Sequence, residues 1–308
     1  MKLTLVTLLM ALAVGAAAAR QALPQATGPN VSRDLSGAID IHVHSHPDNV
    51  ARSLDGIEAA RFAKEKGMRA IILKNHFDPT AGLAWLARKA VPGIEVFGGV
   101  DLNLPVGGMN VHAVDHMVRV DGGFGRIVWM STFDAENQIR VNKSKAPFVR
   151  VSENGALLPS TKAVIAAIAR HNLILASGHV SAREALLMFE EGRRAGVRAM
   201  VATHGMGTPT SLTVDQARQA TKFGAFIEFT SGTLATPNAQ AKVDRLAEDI
   251  RSVGVEHAIL SSDLGQAGNP LPADGFATYM EALRKKGFTN QELDLMAKQN
   301  PARLLGLK

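Results

Sequence analysis

From residue 38 onward the chain switches repeatedly between two hydrophobic periods. Short apolar runs rich in Val, Ile and Ala read as strands, and between them lie longer stretches whose apolar residues recur three and four apart, the pattern of amphipathic helices. The strands predicted in this way cover residues 38–44, 69–75, 94–102, 126–131, 173–177, 198–203, 225–230 and 258–262. Predicted helices cover 54–66, 82–90, 110–120, 161–171, 239–253, 276–286 and 289–300, with two more opening at Ser181 and Thr213 and stopping near Gly196 and Gly224. Ser181 with Glu184, Thr213 with Gln216 and Thr289 with Glu292 have the spacing of capping boxes, and Asp78-Pro79 suits a helix start with proline in the first turn. Residues 132–159 interrupt the rhythm, and their β-branched and charged residues suit a hairpin or lid. Eight strand–helix units in about 270 residues fit a single-domain (β/α)8 TIM barrel over residues 36–308. A doubly wound open sheet shows the same alternation, but its glycine fingerprint after the first strand is missing, and a pair of histidines stands there instead.

The stretch before the barrel is of a different kind. Lys2, the apolar run from Leu3 to Val14 and Ala17-Ala18-Ala19 read as a secretory signal over residues 1–19, followed by a polar linker over 20–35 containing Pro24, Gly28 and Pro29. The apolar run is shorter than the roughly 20 residues that cross a bilayer, so the expectation is an exported protein, periplasmic or secreted, without a stable membrane anchor. The absence of cysteine excludes disulfides, thiolate ligands and a cysteine nucleophile. A formal charge of +6 raises the question of nucleic acid, but the basic residues are scattered along amphipathic stretches, so no nucleic-acid partner is expected. The expected partner is a small-molecule substrate, with a homo-oligomer left open.

Candidate chemistry begins in the first strand, Ile39-Asp40-Ile41-His42-Val43-His44-Ser45-His46. Alternation in a regular strand turns Asp40, His42 and His44 to one side and Ile39, Ile41 and Val43 to the other, which makes the two imidazoles a ready pair of metal ligands. In a barrel the chemistry sits at the C-terminal ends of the strands. Polar residues closing the apolar runs are His42 and His44 on the first strand, Lys74 and His76 after the second, His179 after the fifth, His204 after the sixth and Asp263 after the eighth. The closed sheet brings those ends together. Elsewhere, His46 suits a loop contact, Asn103 and Gly107-Gly108 the mouth of the pocket, and Asn110 a helix cap. His112 and His116 fall on an outer helix, while His171 and His257 precede strands at the opposite end. Glu228 lies within the seventh strand, facing either the barrel interior or a helix.

Taken together, Asp40-Ile41-His42-Val43-His44, Ser177-Gly178-His179, Thr203-His204-Gly205 and Ser261-Ser262-Asp263 resemble the metal-dependent amidohydrolase superfamily, and Asn300-Pro301-Ala302-Arg303-Leu304-Leu305 is similar to the helix that often ends such enzymes. The resemblance implies that the histidines of the first, fifth and sixth strand ends and the aspartate of the eighth are metal ligands. Many relatives add a bridging lysine or glutamate from the fourth strand, which residues 127–132 do not offer, so one ion is implied rather than two. Lys74-Asn75-His76 is similar instead to a motif of the polymerase and histidinol phosphatase family. It leaves His76 as an additional ligand or a substrate contact, and Lys74 as an electrostatic stabiliser or a bridging carbamate.

The function this implies is hydrolysis of an amide, lactam, lactone or related bond. One divalent ion, zinc before manganese or iron, is held by His42, His44, His179 and Asp263, with His204 as ligand or close neighbour. Asp263 moves the proton, and His204 or Lys74 polarises the scissile group. Two other functions stay open at this point: phosphoester hydrolysis on a centre that includes His76, and a non-catalytic exported barrel that binds metal or solute.

Overall fold

The computed structural model describes residues 35–235 and 239–308. The predicted signal peptide and nearly all of the linker lie outside the described residues. Eight strands form one sheet in chain order: β1 Ile39–His44, β2 Ala70–Lys74, β3 Glu95–Asp101, β4 Gly125–Trp129, β5 Ile174–Ala176, β6 Ala199–Ala202, β7 Ala225–Thr230 and β8 Ala258–Ser261. Every neighbouring pair is parallel. The last strand returns to the first through Val43 bridged to Leu264, with Asp263 N–H donating to His42 O and His44 N–H to Leu264 O, both at 2.9 Å. The predicted (β/α)8 barrel is the observed fold.

Helices cover the strands on the outside, because each has one apolar stripe and the strands present branched residues to it. The helix Gly56–Glu65 buries Ala59, Ala60 and Ala63, and Ala182–Ala195 buries Ala185, Met188 and Phe189. All three predicted capping boxes are present, at Ser181, Thr213 and Thr289. Asp78 is not a cap: the helix after β2 is Ala81–Ala90 with Thr80 before it, and the turn 75–78 is closed by Asn75 Oδ1, which accepts from the N–H groups of Phe77 and Asp78. The interruption between β4 and the next outer helix, Pro159–Arg170, holds a short helix, Glu136–Val141, and a small hairpin of Ser152–Glu153 with Ala156–Leu157.

Inside the barrel the lower layer is apolar. Ile39, Ile41, Ile72, Phe97, Ile127, Trp129, Ile174 and Ile259 pack there with Leu304 and Leu305 of the final helix, Asn300–Leu305, which closes the N-terminal end. Asn300 fixes that helix by donating from Nδ2 to the carbonyls of Val255 and Ala258, at 2.9 and 2.7 Å.

The first strand departs from plain alternation. Its register against β2 shifts between Asp40 and Val43, a bulge. Ile39 and Ile41 therefore belong to the barrel interior, while Val43 belongs to the outer core and Asp40 stands beside Val43, Leu54 and Ala63 in the layer between strands and helices. The expected shared face of Asp40, His42 and His44 is thus overturned. The bulge re-aims His42 and His44 together and leaves Asp40 behind, where its Oδ1 accepts from the N–H groups of His42 and Ser262 at 3.0 Å each.

Candidate metal centre

Above the apolar layer the barrel turns polar. His42, Lys74, Asp101, Glu228 and Ser261, in the C-terminal halves of their strands, and Ser177 and Thr203, just past the ends of theirs, are all buried. His42 is the hub. Its Nδ1 lies 3.1 Å from Glu228 Oε1, and its Nε2 lies 3.1 Å from Asp263 Oδ1 and 3.2 Å from Lys74 Nζ. His44 Nε2 reaches the same Asp263 oxygen at 3.2 Å. His42, His44 and Asp263 each present one ligand atom, all within 4.8 Å of one another, a group that could hold a metal ion. Glu228 faces the interior, which resolves the choice left open in the sequence.

The other predicted residues gather around this group. His179 Nε2 and His204 Nε2 point at each other at 3.2 Å, with the His204 ring stacked near His42 at 6.1 Å between centroids. His76 stacks on His44 at 4.9 Å and meets His179 edge-on at 5.9 Å. Lys74 lies fully buried beneath His42, over Trp129 and 3.8 Å from Asp101 Oδ2. It lies 3.2 Å from His42 Nε2, below the residues that line the open cleft. His46 makes a loop contact, accepting from Arg52 N–H through Nε2 at 3.1 Å. His112 and His116 are exposed on the outer helix Val111–Met117, which Asn110 caps.

The backbone shows how these positions are enforced. His204 and Asp263 adopt positive φ, +31° and +52°, conformations that cost a non-glycine residue of order 1–3 kcal/mol. Glu228 Oε2 holds His204 by accepting its N–H at 2.8 Å, and Asp263 is held by its N–H bond to His42 O. Gly178, at φ +61°, brings His179 close under the end of β4: a Cβ there would meet Met130 O at 2.1 Å.

Electrostatics suit a cation. Burial opposes ionisation of Asp263, but the imidazoles of His42, His44 and His204 outweigh it and hold the carboxyl far below the usual range. Burial likewise opposes ionisation of Glu228, yet His42 beside it brings it down to about 2. Burial pushes His44 down to about 3 and keeps His76, His179 and His204 below the ordinary imidazole value. His42 is the exception: burial lowers it, but Asp263 and Glu228 bring it above the ordinary value despite Lys74. Neutral imidazoles and an ionised carboxylate are the donor forms a metal needs. The Nε2 atoms of His42 and His44 converge on one oxygen of Asp263, and those of His179 and His204 face each other at 3.2 Å, donor groupings that a cation would satisfy. The residues therefore fit a divalent ion.

A second network was not foreseen. Thr132 Oγ1 donates to Asp101 Oδ2 at 2.9 Å and accepts from His76 Nδ1 at 2.9 Å and from Asn103 Nδ2 at 2.7 Å. Asn103 is fully buried and holds residues 131–134 through its Oδ1, so it braces the floor of this region and does not shape the mouth. Asp101 ends β3 as His44 and Lys74 end their strands. It is obscured in the sequence because Leu102 extends the apolar run past it.

Several solved enzymes share this fold. An amidohydrolase from Pseudomonas aeruginosa superposes with a TM-score of 0.62 at 13% identity, covering 90% of this chain and 97% of that one. A phosphotriesterase homology protein from Escherichia coli, with phosphate in its active site, gives 0.60 at 17%, covering 89% and 100%. A probable dipeptidase from Pseudomonas aeruginosa gives 0.62 at 11%, covering 90% and 96%. No curated protein matches by sequence. By its sequence the chain belongs to DUF6282, a family of unknown function, which matches residues 37–228. That stretch contains every histidine of the centre together with Lys74 and Glu228, and ends before Asp263.

Proposed function

We propose that the protein is an exported metal-dependent hydrolase acting on an amide, lactam, lactone or related bond. The observation that carries this reading is the convergence of His42 Nε2 and His44 Nε2 on Asp263 Oδ1, at 3.1 and 3.2 Å, on the floor of an open cleft. These residues would hold a divalent ion, zinc before manganese or iron, which would supply an activated water by bringing the pKa of a bound water down to about 7. His42 is fixed by Glu228 as the tautomer whose Nε2 faces the centre. Asp263, ionised and at the cleft, accepts a proton from the attacking water and returns it to the leaving group. His204 and His179, whose Nε2 atoms face each other beside the cleft, complete the ligand set or donate to the oxygen on which charge develops. Support also comes from the likeness to an amidohydrolase and a probable dipeptidase; the cleft over the donors argues against a closed, purely structural metal site.

Metal analysis of the purified protein, paired with the double variant His42→Ala/His44→Ala, tests the reading. The expected result is one transition-metal ion per chain and turnover of simple amides or lactones, both lost in the variant. Absence of stoichiometric metal, with hydrolysis unchanged in the variant, overturns it. Turnover of phosphoesters alone would replace it with the phosphoesterase alternative.

A further inference from the structure

The cleft above the centre has a volume of about 760 Å³, within the range of small-molecule sites. His42, His76, His179, His204 and Asp263 form its floor, and its walls come from the loops after β1, β4, β6 and β8 together with the helix Ala239–Val253. Each cationic side chain of those walls has an acidic or other partner nearby. Arg52 is held by Asp48 at 2.7 Å, Arg245 by Asp249 at 2.8 Å, and Lys242 has a partner of its own. What the walls offer a ligand is mainly apolar: Val50, Phe133, Met206, Phe229 and Leu246. Phe133 stacks on His76 at 3.7 Å and meets Phe77 edge-on, so an aromatic shelf adjoins the floor directly.

The rim continues the same character. Six large apolar residues are exposed among the described residues, and all but Leu86 stand on segments following β1, β3 or β4: Val50, Leu104, Phe133, Val141 and Phe148. Single exposed apolar residues are ordinary on any surface. Their concentration at one end of the barrel, running into the cleft at Val50 and Phe133, is not.

We infer that the part of the substrate remote from the scissile bond is an apolar acyl chain or ring, received by the wall of Phe133, Met206 and Leu246. This inference rests on the hydrolase reading and narrows it to hydrophobic amides, lactones or esters. Each methylene moved from water onto such a wall favours binding.

Binding of two hydroxamates to the metal-loaded protein, measured by calorimetry, separates the two claims. Acetohydroxamate and octanohydroxamate carry the same metal-chelating head and differ only in the chain. The expected result is binding of both, with octanohydroxamate at least tenfold tighter. Leu246→Asn is expected to cut that ratio several-fold while leaving acetohydroxamate unchanged, and Val50→Asn, at the exposed rim, gives a second reading should the first variant fold poorly. Equal affinity for the two compounds overturns the apolar-substrate inference and leaves the metal hydrolase standing. No binding of either overturns both.

Discussion

Glu228, on β7, accepts a hydrogen bond from His42 Nδ1 on β1 at 3.1 Å, and the same carboxylate accepts the N–H of His204 at 2.8 Å and the hydroxyl of Ser261 at 2.7 Å. One buried side chain thereby orients the imidazole of His42 and fixes the backbone of His204. Loss of such an outer partner typically lowers metal affinity 10- to 100-fold. Glu228→Gln is expected to do so, in competition with a chelator of known affinity, while retaining the fold by circular dichroism. Unchanged affinity would show that His42 needs no such support.

Thr132 plays the corresponding part for His76. Its hydroxyl hydrogen goes to Asp101, so only its lone pairs face His76, and the imidazole must present Nδ1–H to it and keep Nε2 for the cleft. Thr132→Val keeps the shape and removes the hydroxyl, leaving Asp101, Asn103 and His76 each short of a partner. A stability loss of about 1–3 kcal/mol in urea unfolding is expected, with Thr132→Ser near wild type. Loss of turnover without loss of bound metal would assign His76 to substrate; loss of both would assign it to the ligand set.

Much of this was legible in the chain. The alternation of periods defines eight strands because each strand is buried on both faces and each helix on one, and the polar residue that ends a run marks the barrel's active end. His42, His44, His179, His204 and Asp263 are visible by that rule. Glu228 is visible but not orientable, since a residue inside a doubly buried strand has no exposed side to betray its direction. Asp40 misleads for a physical reason: strict alternation assumes an unbulged strand, and the bulge at 40–43 is encoded in contacts with β2 and β8 that no local pattern records. Thr132 and Asp101 acquire meaning only when β3 and β4 lie side by side.

Asp40 carries a further consequence. Burial raises its pKa to about 6, against an ordinary 3.8, and its Oδ2 has no partner. Between those values the folded protein holds a proton that the unfolded chain has released, so this residue's contribution to stability falls as pH rises through the window, by about 3 kcal/mol in total. Asp40→Asn keeps an acceptor for His42 and Ser262 N–H and cannot ionise. The wild-type minus variant difference in unfolding free energy is expected to decline from pH 4 to pH 6 and then level off. A flat difference would mean that Asp40 titrates normally.

In the proposed hydrolase, Asp263 both helps to hold the ion and takes the proton. Asp263→Asn retains an oxygen near His42 and His44 but removes the proton acceptor, and general base catalysis of this kind contributes about 10²–10⁴-fold. Turnover is expected to fall by that order with substrate affinity altered far less. If activity survives within tenfold in a variant that still holds metal, the proton passes elsewhere.

Gly178 and Gly196 separate close approach from backbone strain. Both have positive φ, +61° and +83°, but a Cβ on Gly178 would lie 2.1 Å from Met130 O and 2.7 Å from Ser131 O, whereas nothing lies within 4 Å of one on Gly196. Gly196→Ala therefore adds conformational strain alone, about 1 kcal/mol. Gly178→Ala must also push the end of β5 away from β4, and with it His179, whose N–H donates to Ser131 O at 3.0 Å. A loss of about 3 kcal/mol is expected, together with a fall in metal affinity that Gly196→Ala does not show. Equal effects of the two substitutions in thermal unfolding and chelator competition would mean that the β4–β5 contact yields without disturbing His179.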